Sequence, residues 1–143
     1  RGLGDVYKRQ EYPRRVRNVK KVYPISKEIN QAIIETYEYL QTLPNEKARQ
    51  KHLKRVEKGL KEQYTARMKK LSFTQGKLLI KLIDRQSNST SYELVKAFMG
   101  PFKAGFYQTF AALFGASLKK EYDPLGEDKL TERVVLLVEN GQI

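Results

Sequence analysis

The sequence predicts an all-α protein. We expect a single domain of five or six helices, with a long basic antiparallel helical hairpin packed against a more apolar C-terminal helical half. Three observations predict it. Apolar residues recur at steps of three and four through most of the chain. Capping boxes, prolines and an Asn-Gly pair punctuate those runs at helix-length intervals. No pair of neighbouring runs alternates apolar and polar residues as two strands would. The length, 143 residues, suits one domain with one core.

The first helix follows from Val19, Val22, Ile25, Ile29, Ile33, Tyr37 and Leu40, which place a stripe along residues 14–42. Pro24 interrupts it, so a kink or a fresh helix start is expected there, with Ser26 as N-cap of the second piece. Leu43-Pro44-Asn45 reads as a turn. Residues 46–71 repeat the pattern with Leu53, Val56, Leu60, Tyr64, Met68 and Leu71, and the two helices form the hairpin. Ser72-Phe73-Thr74-Gln75 is a capping box, and the dense run Leu78 to Ile83 behind it reads as a buried helix. Gln86-Ser87-Asn88-Ser89 reads as a polar loop. A second capping box, Thr90-Ser91-Tyr92-Glu93, would open a short helix through Leu94, Val95 and Phe98. Gly100-Pro101 would break it, with Pro101 in the first turn of the next helix. That helix carries Phe102, Phe106, Phe110 and Phe114 at steps of four, then Leu118, and Lys119 and Lys120 would close it. Tyr122-Asp123-Pro124-Leu125-Gly126 is a turn. Glu127 and Asp128 suit the start of a last helix, whose inner face is Leu130, Val134, Leu137 and Val138 and whose stop is Asn140-Gly141.

Composition excludes several classes of function. There is no cysteine, which removes disulfides, thiolate nucleophiles and Cys-ligated zinc, and the single histidine, His52, removes multi-His metal sites. No metal, cofactor or catalytic residue is expected. Gly76-Lys77 lacks the glycines of a phosphate loop, and residues 122–128 lack the oxygen spacing of a calcium loop. Asn88-Ser89-Thr90 matches a glycosylation sequon by pattern alone. No apolar run reaches the length of a membrane span.

Charge is the strongest signal. Lys and Arg number 28 against 16 Asp and Glu, a net +12. Residues 11–85 hold 19 basic and 8 acidic residues, whereas residues 86–143 hold 6 and 7. The excess therefore lies in the hairpin half, and the candidate polyanion-binding residues are Arg14, Arg15, Arg17, Lys20, Lys21, Lys47, Arg49, Lys51, Lys54, Arg55, Lys58 and Lys61. A clustered basic face attracts nucleic acid, anionic lipid head groups or polysaccharide. Tyr12, Tyr23, Tyr37, Tyr39 and Tyr64 are candidate stacking planes for bases. A solvated face on two amphipathic helices satisfies the same pattern. The phenylalanine stripe reads either as a ligand groove or, more simply, as core. A second cluster, Lys81, Asp84, Arg85, Tyr92 and Glu93, gathers in sequence around the expected 86–90 loop. It reads as helix-end ion pairs or, if buried, as acid–base machinery of a hydrolase-like enzyme.

Residues 1–10, RGLGDVYKRQ, stand apart. Asp5 to Gln10 is what translation of GATGTGTATAAGAGACAG gives, a string that resembles a transposon-end adapter of sequencing libraries. We expect residues 1–10 to be a non-native tail and residues 11–143 to be the helical domain, with the native N-terminus and any export signal upstream. Without the tail the net charge is +10.

Four segments carry a family resemblance: Arg17 to Pro24, Thr74 to Arg85, Thr90 to Leu94, and Glu121 to Asp128. Together they resemble domain-of-unknown-function family 4294, an uncharacterised bacterial family, across residues 12–140. Its most specific parts are LIKLIDR (residues 79–85) and YDPxGED (residues 122–128). The family's members are short proteins of Gram-negative bacteria, commonly exported, and the resemblance implies a periplasmic or envelope location. It implies no activity, cofactor or catalytic residue. Similar proteins tend to carry Trp where Tyr107 precedes Gln108. Because a large aromatic is kept, packing is what that position is expected to serve. The sequence thus points to a non-enzymatic helical binding or structural module whose basic face meets an anionic envelope surface or an acidic protein. The alternative is a nucleic-acid-binding protein using the same hairpin.

Overall fold

A computed structural model describes residues 3–90, 93–118 and 121–143, with side chains from residue 11 onward. Five helices occur among the described residues: α1 (Leu3–Leu40), α2 (Glu46–Met68), α3 (Phe73–Ser89), α4 (Glu93–Phe114) and α5 (Lys129–Glu139). No strand occurs among the described residues. Cross-helix bonds fix the directions. Arg67 near the end of α2 reaches Glu28, so α2 runs back along the C-terminal half of α1. Asn18 bonds Gln75 and Ser26 bonds Gln86, so α3 runs parallel to α1. Lys103 pairs with Asp84, and Phe114 lies against Gly76, so α4 is antiparallel to α3. Arg15 bonds Thr131 and Tyr23 bonds Glu139, so α5 lies parallel to the first half of α1.

α3 is the central element. Leu79, Ile80, Lys81, Leu82, Ile83 and Asp84 are all buried, so the helix is covered on its polar side as well as its apolar one. Its start is the expected capping box: Gln75 N–H donates to Ser72 Oγ, and Ser72 N–H donates to Gln75 Oε1. Its apolar residues share one core with Val19, Val22, Ile29 and Ile33 of α1, Met99, Phe106 and Phe110 of α4 and Val134 and Val135 of α5. The phenylalanine stripe is therefore core: Phe102, Phe106 and Phe110 are buried and Phe114 stacks on Phe110 and Phe73.

The structure corrects four sequence expectations. Pro24 does not start a new helix, because α1 passes through it. Pro24 lies on the exposed side, where water can satisfy the carbonyl that its ring leaves without a partner. Ser26 is no N-cap. It is fully buried, donates to the Tyr23 carbonyl (2.7 Å) and accepts from Gln86 (3.0 Å). That bond also explains the second correction, since Gln86 to Ser89 continue α3 rather than forming a loop. Third, Gly100-Pro101 sits inside α4. Met99 and Phe102 are buried on either side, and the exposed Ala97 leaves its freed carbonyl in water. The two short helices expected here are one. Fourth, α4 stops at Gly115, whose φ of +67° is the left-handed conformation that glycine adopts freely, and not at Lys119 and Lys120. Those lysines, like Ser91 and Tyr92 of the second expected capping box, lie outside the described residues.

Candidate functional site

The basic residues occupy α2 as a row. Lys47, Lys51, Lys54, Lys58 and Lys61 are spaced by four, three, four and three residues, so they share one side of the helix. Leu60, Tyr64 and Met68 define the buried side, which the row flanks and approaches most closely at Lys61. The row is exposed throughout and extends roughly 21 Å at 1.5 Å per residue. Among the described residues, no carboxylate lies within ion-pair distance of any of the five lysines. Like charges at i,i+4 repel, so the row weakens α2 slightly instead of stabilising it.

The remaining basic residues do not all join that row. Arg49 is turned to the Leu43 carbonyl (3.1 Å) and Glu46 (3.5 Å), where it closes the interhelical turn. Arg15 is turned to Glu11 and to Thr131 of α5 (2.6 Å). Arg55 is exposed on the flank of α2. Arg14, Arg17, Lys20 and Lys21 are exposed, but Glu28 already lies level with Arg67 at the end of α2. They therefore sit past that end, on the part of α1 that packs with α3 and α5, and form a second patch. On the C-terminal half of α1, which α2 runs along, the exposed residues include Glu35 and Glu38.

The tyrosines are mostly core. Tyr23 and Tyr64 are buried, and Tyr37 packs on Phe98. Tyr12 and Tyr39 are exposed, and the Tyr39 ring meets His52 edge-on at 4.6 Å.

The second predicted cluster separates into two. Glu93 is on the surface beside Lys96 (3.6 Å), its side chain 85% exposed, and Tyr92 lies outside the described residues. Lys81, Asp84 and Arg85, by contrast, enter a largely buried ionic network. Asp84 has no exposed surface. Its Oδ2 accepts from the Tyr122 N–H (2.7 Å) and its Oδ1 faces the Lys103 ammonium of α4. Lys81 Nζ donates to Asp128 Oδ2 (2.9 Å) and to the Glu121 carbonyl (3.4 Å), while Asp128 also accepts from the Asp123 N–H (2.8 Å). Arg85 forks onto Glu132 with bonds of 2.7 and 2.9 Å and reaches Glu139 at 3.2 Å. Tyr122 Oη donates to Glu132 (3.1 Å) and Tyr23 Oη to Glu139 (2.6 Å). LIKLIDR and YDPxGED are thus two sides of one structure: the first supplies Lys81, Asp84 and Arg85, the second Tyr122, Asp123 and Asp128. Sequence reading missed Lys103, Glu132 and Glu139, and took Asp128 only as a helix-dipole acid. The one available signal was the seven-residue spacing of Glu132 and Glu139, which puts both on one side of α5.

Electrostatics follow this geometry. The Arg85 hydrogen bonds hold the Glu132 carboxyl below its ordinary range, and Glu132 in turn raises Arg85. Burial, then the charge and bond of Glu132, raise the Tyr122 phenol. Tyr23 is pushed up to about 12 by burial and by Glu139, and Tyr107 to about 12 by burial and then by the charge of Asp84. Tyr107 is half-buried against the core, as expected for an aromatic in a packing role. Each charged group of the network faces an opposite charge or a hydrogen-bond partner, so the arrangement acts as a clamp on α3, α4, α5 and the 121–128 turn. A hydrolytic pair of Asp84 and Glu93 is not assembled, with one buried and the other in solvent. No group of three or more His, Asp or Glu suited to a metal occurs among the described residues. No helix there is long and apolar enough to cross a membrane.

A family model described as "Domain of unknown function (DUF4294)" matches residues 3–137. No curated protein and no solved structure matches the chain.

Proposed function

The chain belongs to the DUF4294 family, a domain of unknown function, and from that premise we propose that it is a non-enzymatic helical binding module of the cell envelope that rests its α2 lysine row on an anionic surface. The observation that carries this reading is the row itself: five exposed lysines on one side of a helix, none with a carboxylate in ion-pair reach among the described residues. A negative surface laid against such a row would be attracted to all five charges at once. The apolar side of α2 is committed to the core, so contact is electrostatic, without insertion, and reversible by salt. The envelope setting rests on the family resemblance of the LIKLIDR and YDPxGED segments. Binding to single-stranded nucleic acid is the less favoured reading, because two of the five candidate stacking tyrosines are buried and a third is engaged with Phe98.

Co-sedimentation with vesicles tests it. The full chain should bind vesicles rich in phosphatidylglycerol, ignore neutral phosphatidylcholine, and dissociate as salt rises from about 50 to 200 mM. Near an anionic membrane each lysine contributes roughly 1 kcal/mol, so neutralising Lys51, Lys54 and Lys58 to Ala should weaken binding on the order of a hundredfold. Replacing Arg14, Arg17 and Lys20 should weaken it less. Equal binding to neutral vesicles, or an unaffected Lys51/Lys54/Lys58 variant, rejects the proposal. Preference for duplex DNA over the vesicles transfers the row to the nucleic-acid reading.

A further inference from the structure

α5 is covered on one side only. Val134 and Val135 are fully buried, yet Leu136 is 46% exposed and Leu125, in the preceding turn, is 91% exposed. Along the uncovered flank Pro124, Leu130, Leu136 and Leu137 line an open groove of about 640 Å³, edged by Lys129 and Arg133. The groove has polarity. Lys129 and Arg133, four residues apart on one side, lie in the first half of α5, and Leu136 and Leu137 lie in the second. Among the described residues neither cation has a carboxylate within ion-pair distance. The acid that touches the groove, Glu132, is held by the Arg85 fork and presents no free charge to a ligand.

We propose that this groove binds one single-chain anionic amphiphile, a fatty carboxylate, separately from the α2 row. The carboxylate meets Lys129 and the planar fork of Arg133, which matches a carboxylate's two oxygens. The chain runs along Leu130, Leu137 and Leu136 towards the end of α5. The helix, roughly 16 Å long at 1.5 Å per residue, offers one lane and so takes one acyl chain.

Titration of the full chain with dodecanoate below its micellar concentration, followed by amide chemical shifts, tests this. One saturable site is expected, with shifts confined to α5 and the Pro124–Leu125 turn. Dodecyltrimethylammonium, which carries the wrong charge, and acetate, which lacks the chain, should bind at least about tenfold more weakly. K129E/R133E should lose about tenfold or more in affinity, and L136Q, at an exposed position, several-fold, with helicity unchanged. The α2 variant K51E/K54E/K58E should keep dodecanoate binding while losing vesicle binding, which separates this inference from the lysine-row reading. Equal affinity for the cationic amphiphile, shifts on α2 instead of α5, retention of affinity by K129E/R133E, or ligand-free dimerisation through α5 would each overturn it.

Discussion

Asp84 shows what a single residue does in this fold. It carries a carboxylate with no exposed surface, beside a lysine whose side chain is 18% exposed and an amide it must satisfy. Removing one partner of a buried pair leaves the other charge without compensation, which typically costs 3–5 kcal/mol. Because Lys103 retains some solvent, we place Asp84→Asn at the lower end, about 3 kcal/mol, read as a fall in urea midpoint. Glu93→Gln, in the same predicted cluster but in solvent, should change stability by less than about 0.5 kcal/mol. The sequence made the residues of this network visible but not their pairing. Lys81, Asp84 and Arg85 sit in one motif and Tyr122 to Asp128 in another, and no periodicity links positions 38 apart. The same limit hid Arg15 and Arg49, which looked like members of a basic face but turn inward to Thr131 and to Leu43.

At the scale of the element, periodicity located the helical segments, while their limits were set by local stops such as Gly115 and by distant contacts such as Gln86 with Ser26. The α3 capping box was readable because both its bonds are local. Ser72→Ala should cost about 1 kcal/mol and fray the first turn of α3, measured by amide exchange there. Gly76, inside the same helix, looks replaceable from propensity alone. A Cβ there would meet the Phe114 ring at 2.8 Å, so Gly76→Ala should destabilise by about 1–3 kcal/mol instead of stabilising. Local signals misled where distant contacts outweighed them. The polar run Gln86 to Ser89 is kept helical by the Gln86–Ser26 bond, and Pro24 and Pro101 are tolerated because each faces water.

At the scale of the whole molecule, pH separates the two kinds of charge. The Glu132 carboxyl is lowered in the folded protein, so the stability it contributes is present above its ordinary value of 4.5 and is lost as pH falls through the lowered one. The Tyr23 and Tyr107 phenols are raised to about 12 from an ordinary 10.0. Their contribution is complete below pH 10 and is lost as pH rises towards 12. Thermal denaturation across pH should therefore show a plateau bounded by an acid fall that Glu132→Gln makes shallower, and an alkaline fall that coincides with late phenolate absorbance. The lysine row stands outside this scheme. Its neutralisation should leave the melting temperature unchanged or slightly higher, since it relieves repulsion on α2.

The contact of α1 with α5 has a further consequence, for the order in which the chain is made. Arg15 meets Thr131 and Tyr23 meets Glu139, each pair 116 residues apart. A ribosome delivers residues one after another, so the first helix waits for the last. Until α5 emerges, Val19 and Val22 lack part of their cover, and the early helical hairpin has no partner to close its lower half. A chain interrupted before residue 131 should then remain open to proteases and chaperones.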